Sequence, residues 1–255
     1  MKRKNIFLIL ILLIILAGFF SYRVKIKNLW MEITKEELPK AMEFQENNDD
    51  KTENQLPPPK ADRPLAETSF NLDVPFTPQA PDAIWDETFK EACEEAAALM
   101  VDYYYKNKTL APAVATAEIL KMVDWQIKNF NGHFDLTVQQ TAEMIKNYFG
   151  YQKVEVLDNP TIDDIKFHLN KKRPVIVPAA GRELANPYFR TPGPLYHMLV
   201  IKGYTENQFI TNDPGTKRGE NYLYDYEIIM NAMHDWNNSG EITEGAKRII
   251  VIYPN

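Results

Sequence analysis

The chain of 255 residues carries a formal net charge of -6, and 45% of its residues are hydrophobic. These values fit one globular domain with additional segments and exclude a fibrous or wholly disordered chain. The acidic balance, with no extended patch of Lys and Arg beyond the N-terminus, argues against a nucleic-acid surface, because binding of that kind depends on neutralising phosphates.

Residues 1–30 are predicted to form a signal anchor and a short juxtamembrane segment. An unbroken apolar run, Ile6–Phe20, follows a basic N-terminus, which is typical of a signal peptide or a membrane anchor. Residues 17–21, at the end of this run, match a cleavage site poorly, so an uncleaved anchor is favoured over a cleaved signal. The positive-inside rule then predicts a single-pass protein of the cell membrane whose remaining chain is extracytoplasmic, or secreted if the signal is cleaved.

Residues 31–68 are acidic and contain several prolines, a composition that predicts a flexible linker. Residues 69–255 are long enough to form one core. Their patterns predict a strand at 70–76, then helices at 92–105, 112–130 and 137–149, a strand at 153–157, a helix at 161–172, and strands at 173–180, 196–204, 208–213, 221–226 and 247–253. Helices precede most strands, so the predicted fold class is α+β, with an N-terminal helical half packed on an antiparallel sheet.

Cys93 is the only cysteine, which excludes an intramolecular disulfide and a thiolate-rich zinc site. It lies on the apolar face of the first long predicted helix, where a free cysteine is often a small core residue. Glu94 and Glu95 are expected to point away from the thiol, so they need not touch the sulfur, although they raise the cost of a thiolate somewhat. The alternative interpretation, a nucleophile, depends on residues elsewhere in the chain.

A thiol nucleophile requires a base, a group that orients the base, and donors that face the developing oxyanion. His197 begins one predicted strand and Asp213 ends the next, and adjacent antiparallel strands can bring two such residues together. A helix packed on this sheet would present Cys93 to the same point, and Gln79 offers a side-chain amide. Asn212 remains an alternative to Asp213, since Asp-Pro-Gly is also a good turn sequence.

The start of the Cys93 helix is a separate question. Thr88 and Glu91 match a capping box, which would begin the helix too early for the Cys93 amide to remain free. We therefore predict that Thr88 caps at most a separate turn and that the long helix begins within about two residues of Ala92. Such a start would place the sulfur near the positive helix end and favour the thiolate.

The proline-rich loop before His197 carries Tyr188, Phe189 and Arg190, which are candidate substrate contacts, although they can equally pack the loop alone. His133, His168 and His234, the last with Asp235, are interpreted as surface or core residues. No metalloprotease, Walker or dinucleotide motif occurs, so neither a metal, a nucleotide nor another cofactor is expected.

Three stretches, LDVPFTPQ, ACEEAAALMVDYYY and YHMLVIKGYTENQFITNDPGT, resemble the peptidase C39-like family, bacterial members of the papain-like cysteine peptidase superfamily, over residues 72–253. The resemblance implies a papain-like fold with Cys93 as nucleophile, His197 as base, Asp213 as orienting residue and Gln79 as oxyanion donor. Many relatives carry Gly-Pro directly after the cysteine, where this chain has two glutamates.

The expected function is therefore a membrane-tethered, extracytoplasmic cysteine peptidase that hydrolyses peptide bonds with a Cys-His-Asp triad. Its expected partners are a peptide or protein substrate and the membrane. Two alternatives remain: a papain-like amidase acting on cell-wall peptides, and a catalytically inactive module that binds peptides. The two glutamates after Cys93 are the feature that favours the inactive module.

Overall fold

The computed structural model describes residues 37–45, 68–237 and 239–255. The predicted anchor, 1–30, and most of the predicted linker lie outside these residues. None of the helices in the described ranges is both long and apolar enough to cross a bilayer. The chain divides into two units, 1–38 and 39–255, and the fold described here belongs to the second.

The helical half comes first, as predicted. Its helices are α1 (Glu87–Lys90), α2 (Cys93–Tyr105), α3 (Pro112–Phe130) and α4 (Val138–Phe149). The last three agree with the predicted segments to within one residue, and α3 and α4 carry local signals at their ends. Pro112 has the backbone geometry of a first helical position. Thr137 and Gln140 form a capping box at the start of α4, and Gly150 ends it with a φ of 80°.

The sheet follows the helices. Its strands are β1 (Phe70–Asn71), β2 (Val154–Asp158), β3 (Val175–Ala180), β4 (Tyr196–Tyr204), β5 (Gln208–Asn212), β6 (Tyr222–Asp225) and β7 (Arg248–Ile252). All pair antiparallel in the order β2-β7-β3-β4-β5-β6, with β1 beside β4. Two further helices are α5 (Ile162–Asn170) and α6 (Tyr226–Ala232). The predicted strand at 70–76 is shorter than expected, since only Phe70–Asn71 pairs with β4.

The packing of α2 on β4 sets the position of the candidate site. Every residue of β4 is buried, and most of α2 is buried as well. Ala96, Ala97 and Ala98 in α2 are fully buried, and their short side chains let the helix approach the sheet closely. The α+β prediction, with helices on an antiparallel sheet, is therefore confirmed.

Part of the predicted linker belongs to the folded unit. The Met42 N–H donates a hydrogen bond to the Asn71 carbonyl at 3.0 Å. The Met42 carbonyl accepts one from the Asp73 N–H at 2.8 Å. The Phe44 ring meets Tyr105 edge-on, with 5.0 Å between centroids. Met42 and Phe44, which lie in the predicted linker, therefore pack against the residues that follow it.

Candidate active site

The helix α2 begins at Cys93, with Ala92 as its N-cap, so the predicted late start is confirmed. The preceding α1 is a separate short helix. Its N-cap is Asp86, whose side chain accepts a hydrogen bond from the Phe89 N–H at 2.9 Å, and Thr88 lies inside this short helix. The first bond of the α2 ladder runs from the Ala96 N–H to the Ala92 carbonyl at 3.1 Å. The Cys93 N–H therefore lies in the first turn and has no acceptor within the helix.

His197 and Asp213 form a buried pair where β4 begins and β5 ends. His197 Nε2 lies 2.7 Å from Asp213 Oδ1, and each side chain is at most 1% exposed. The antiparallel pairing of the two strands brings them together, as the sequence predicts. Asn212, the alternative partner, turns elsewhere, and its amide donates to the Val74 carbonyl at 2.9 Å.

The environment of Asp213 keeps its carboxylate ionised. Burial alone would raise its pKa, but the charge and hydrogen bond of His197, with hydrogen bonds from Tyr224 and the Gly215 N–H, lower the pKa below its usual value. An ionised carboxylate only accepts hydrogen bonds, so His197 Nε2 carries the proton. When the imidazole is neutral, the other ring nitrogen, Nδ1, carries no proton and can accept one.

Gly215 allows the turn after Asp213 to lie against the imidazole. Its N–H donates to Asp213 Oδ1 at 2.9 Å. A Cβ at this position would come within 2.9 Å of His197 Cε1 and 2.7 Å of Phe189 Cε1. A side chain larger than hydrogen would therefore displace the imidazole or the loop that covers it.

The Cys93 thiol donates a hydrogen bond to Glu94 Oε2 at 3.1 Å, and both residues are buried. Among the described residues, the thiol forms no hydrogen bond with His197. The expectation that Glu94 turns away from the sulfur was therefore wrong. Its other oxygen accepts the Leu136 N–H at 2.8 Å, so the carboxylate is fixed between the thiol and the loop that precedes α4.

The surroundings of the sulfur favour the protonated thiol. Burial raises the pKa of Cys93 well above its usual value, and the nearby carboxyls of Glu94 and Asp135 raise it further. A backbone hydrogen bond from Met198, the residue after His197, lowers the pKa of Cys93. The thiolate expected from the helix terminus is thus not favoured in this arrangement, because burial and the carboxyls outweigh the helix end.

An acidic cluster lies beside the thiol, and its carboxyls come from α2 and from the loop before α4. Glu95 is fully buried, accepts a hydrogen bond from Gln126 and lies 3.1 Å from His133 Nε2. Burial, followed by the charge of Glu91 and a hydrogen bond with it, raises the pKa of Asp135 to about 7. Sequence analysis missed Asp135 because its loop has no periodicity that would show which residues face the thiol.

A sulfur and two carboxylate oxygens of this cluster converge. The ligand atoms of Cys93, Glu94 and Asp135 lie within 4.8 Å of one another. Of the described residues, these three form the group whose atoms could meet on one metal ion. Thiol and carboxylate ligands are a mixed set that only a borderline cation such as Zn²⁺ would accept.

Gln79 lies between α1 and the turn that follows Asp213. Its Nε2 donates to the Phe89 carbonyl at 3.0 Å and to the Lys90 carbonyl at 2.7 Å. Its backbone N–H donates to the Pro214 carbonyl at 2.9 Å. Both amide donors are therefore occupied by backbone carbonyls next to the start of α2.

The three candidate substrate contacts lie in different surroundings. The Phe189 ring meets the His197 ring edge-on, with 5.4 Å between centroids, and it lines a cavity of about 140 Å³. Tyr188 packs on Tyr222 at 6.0 Å, whereas Arg190 is exposed. The structure thus brings only Phe189 of the three into contact with the imidazole.

A helix with a cysteine at its first position, packed on an antiparallel sheet that pairs a histidine with an aspartate, is compatible with a papain-like fold. Residues 71–244 match the family described as Peptidase_C39 like, and this match spans most of the chain. The chain belongs to the Peptidase_C39 like family.

The fold is also similar to a solved structure described as a C39-like peptidase from Bacillus anthracis. The TM-score is 0.50 at 13% sequence identity, over 74% of this chain and 99% of the other. At that identity the likeness concerns the fold alone. Comparison with curated proteins gave no match.

Proposed function

We propose that the protein is a cysteine peptidase of the extracytoplasmic surface, tethered to the membrane by its N-terminal segment. The observation that carries the proposal is the buried pair of His197 and Asp213, 2.7 Å apart, beside a helix that begins at Cys93. Membership of a family of cysteine peptidase-like proteins supports it. The tether rests on the apolar run Ile6–Phe20 in the sequence.

In the proposed reaction, His197 Nδ1 takes the thiol proton from Cys93, and the sulfur attacks the carbonyl carbon of a peptide bond. The tetrahedral intermediate collapses as the imidazolium gives its proton to the leaving amine, and a thioester remains on the sulfur. Water then gives one proton to His197 while its oxygen attacks the thioester. The acid product leaves, and the proton returns to the sulfur.

The oxyanion of each intermediate needs donors in place before the reaction. The N–H of Cys93 is proposed as one donor, since it has no acceptor within α2. Gln79 is proposed as the second. Its amide is bonded to two carbonyls, so it must release one of them to donate to the oxyanion.

The hydrogen bond of the Cys93 thiol must also shift from Glu94 to His197 before the thiol can react. In the resting arrangement its hydrogen bond goes to Glu94 Oε2, and rotation about the Cα–Cβ bond of Cys93 is the simplest movement that would break it. Substrate binding near Phe189, which packs on the imidazole, would accompany this change. Tyr188 and Arg190 are proposed to contact more distant parts of the substrate.

The test uses the full chain purified in detergent and incubated with a mixed peptide library, with cleavage followed by mass spectrometry. We expect cleavage by the wild type and none by Cys93→Ala or His197→Ala. Peptidoglycan is included as a second substrate, and release of wall peptides without cleavage of the library would replace the peptidase by a cell-wall amidase. Cleavage that persists in Cys93→Ala would contradict the proposal.

One observation favours a second candidate, a catalytically inactive module that binds peptides. The thiol is bonded to Glu94, and the surrounding carboxyls raise its pKa. Alkylation of Cys93 by iodoacetamide separates the two candidates, because the thiol in a working site reacts faster than a free cysteine and slows in His197→Ala. Reactivity no greater than that of a free cysteine, and unchanged in His197→Ala, would favour the inactive module.

The tether is tested separately. The wild type should sediment with membranes and resist extraction at alkaline pH, and a chain that lacks residues 1–30 should be released. Protease added to protoplasts or spheroplasts, whose cell membrane is intact, should digest the domain. Full release of the wild type by alkaline extraction would contradict an uncleaved anchor.

A further inference from the structure

The carboxylate of Asp213 is bonded at both oxygens, but His197 uses only one of them. Oδ1 faces His197 Nε2 and the Gly215 N–H, at 2.7 and 2.9 Å. Oδ2 accepts two other donors, Tyr224 Oη at 2.6 Å and Asn186 Nδ2 at 3.0 Å. The donors on Oδ2 determine how the carboxylate is rotated, and therefore which oxygen the imidazole meets.

Asn186 is held in a single orientation. Its Nδ2 donates to Asp213 Oδ2 and also to Tyr224 Oη, the second at 2.8 Å. Its Oδ1 accepts the Tyr188 N–H at 3.0 Å, so an exchange of the amide oxygen and nitrogen would lose all three bonds. Its backbone carbonyl accepts the Phe189 N–H at 3.1 Å. Asn186 therefore joins the loop that carries Phe189 to the partner of the imidazole.

Tyr224 remains a donor at any ordinary pH. It lies in β6, is 2% exposed, and packs against Tyr222 with 4.6 Å between centroids. Burial, then the charge of Asp213 and the hydrogen bond to it, raise the pKa of Tyr224. A phenol that keeps its proton supplies a permanent hydrogen bond to the buried carboxylate.

We infer that Asn186 and Tyr224 are positioning residues: by binding Asp213 Oδ2 they hold Oδ1 toward His197 and keep its imidazole in the Nε2–H form. The consequence for catalysis rests on the proposed function, whereas the effect on the imidazole does not. Because Asn186 also holds the turn that carries Phe189, it links the candidate substrate loop to the base. Neither residue touches the reacting atoms in the proposed mechanism.

The inference predicts a measurable change at His197. The donors on Oδ2 disperse part of the carboxylate charge, so their removal leaves more of it to stabilise the imidazolium. The ionisable groups that act on Asp213 are His197, Tyr224 and Tyr222. We expect Tyr224→Phe to raise the pKa of His197 by about 1 unit. Asn186→Ala removes the other donor on Oδ2 and should raise it in the same direction.

The experiment is an NMR titration of the histidines in the full chain, in a Cys93→Ala background that removes the thiol from the titration. The chain has four histidines, and the His197 signals are assigned by their loss in His197→Gln. Nitrogen shifts report the tautomer directly. The matched control is Tyr226→Phe, which removes a tyrosine hydroxyl bonded to the Thr205 carbonyl in another part of the fold.

A raised pKa of His197 and a mixed tautomer in both variants, with neither change in Tyr226→Phe, would support the inference. With the thiol restored, kcat should fall about 10–100-fold while KM changes little. An unchanged pKa and tautomer in folded Tyr224→Phe and Asn186→Ala would overturn the inference. NMR measures the pKa and tautomer of His197 without any turnover. If both change as expected in a chain that cleaves no peptide, the proposed function is rejected and the inference about Asn186 and Tyr224 is kept.

Discussion

The Cys93 thiol and Glu94 Oε2 are joined by a hydrogen bond of 3.1 Å in a buried environment. Burial, followed by the charges of Glu95 and Asp135, also raises the pKa of Glu94 well above its usual value. The nucleophile proposed for this site is therefore held as a thiol by the residue that follows it in the chain. Four predictions test this arrangement and the roles of the neighbouring residues.

The Glu94 carboxyl should suppress the reactivity of Cys93. In Glu94→Gln the amide keeps an acceptor for the Leu136 N–H but removes the carboxylate beside the sulfur. We expect the pKa of the thiol to fall by about 1 unit, which raises its alkylation rate by about 10-fold at a pH high enough to ionise Glu94 in the wild type. The chain has one cysteine, so mass spectrometry of iodoacetamide-treated protein reports on Cys93 alone.

The control for that experiment is Glu118→Gln, which removes a carboxylate of α3 that pairs with Lys121. Its alkylation profile should match that of the wild type. If Glu94→Gln also alkylates as the wild type does, the carboxyl of Glu94 does not set the reactivity of the thiol.

Asp135 should make the domain less stable as the pH rises. Its pKa is about 7 in the fold and about 4 in an unfolded chain, so the folded state binds an extra proton between these values. The stabilisation is complete below about pH 4 and is lost as the pH rises through about 7. Asp135→Asn should therefore raise Tm at pH 8, relative to the wild type, by roughly 2–4 °C for about 1 kcal/mol.

Calorimetry at pH 5 and pH 8 measures this difference. At pH 5 the gain from Asp135→Asn should be much smaller, because the wild-type carboxyl is already protonated in the fold. Asp163→Asn, in the first turn of α5, is the control and should show no such pH dependence. Equal gains at both pH values would show that Asp135 is ionised throughout.

Asp213, and not Asn212, should support the base. Asp213→Ala removes the carboxylate that fixes the tautomer of His197, and we expect kcat/KM to fall by about 10,000-fold. Asn212→Ala removes an amide bonded to the Val74 carbonyl, so it should lower Tm and leave the pH profile unchanged. Steady-state kinetics and thermal unfolding of both variants test the assignment, and a larger kinetic loss in Asn212→Ala would reverse it.

Gln79 should contribute to stability as well as to the proposed oxyanion site. Gln79→Ala loses the bonds to the Phe89 and Lys90 carbonyls, which should cost about 1–3 kcal/mol of unfolding free energy. As a proposed oxyanion donor it should also lower kcat by about 100-fold, with little change in KM. Denaturant unfolding and kinetics separate the two effects. A loss of stability with an unchanged kcat would leave Gln79 with a structural role only.

Much of the fold could be predicted because its signals are local. The bounds of α3 and α4 follow from a proline, a capping box and a glycine that all act within a few residues. Strand order predicted that His197 meets the end of the next strand, with Asp213 and Asn212 both possible partners, and the structure pairs it with Asp213.

The local pattern around Cys93 gave one correct and one wrong prediction. The long helix does begin next to Ala92, and Thr88 lies in a separate short helix whose N-cap is Asp86. Helical rotation suggested that Glu94 points away from the sulfur, yet a long side chain can bend to reach a partner. Glu94 does so because it is buried beside the Leu136 N–H, which comes from a distant part of the sequence.

The sequence alone determined the order of helices and strands, the single thiol and the histidine and aspartate on neighbouring strands, because periodicity, caps and turns act over short distances. Tertiary structure alone decided what surrounds them. The loop with Asp135, the amide of Asn186 and the hydroxyl of Tyr224 reach the site from separate parts of the chain. Burial and the charges of neighbouring side chains raise the pKa of Cys93 and keep Asp213 ionised. Both effects exist only once those parts have packed together.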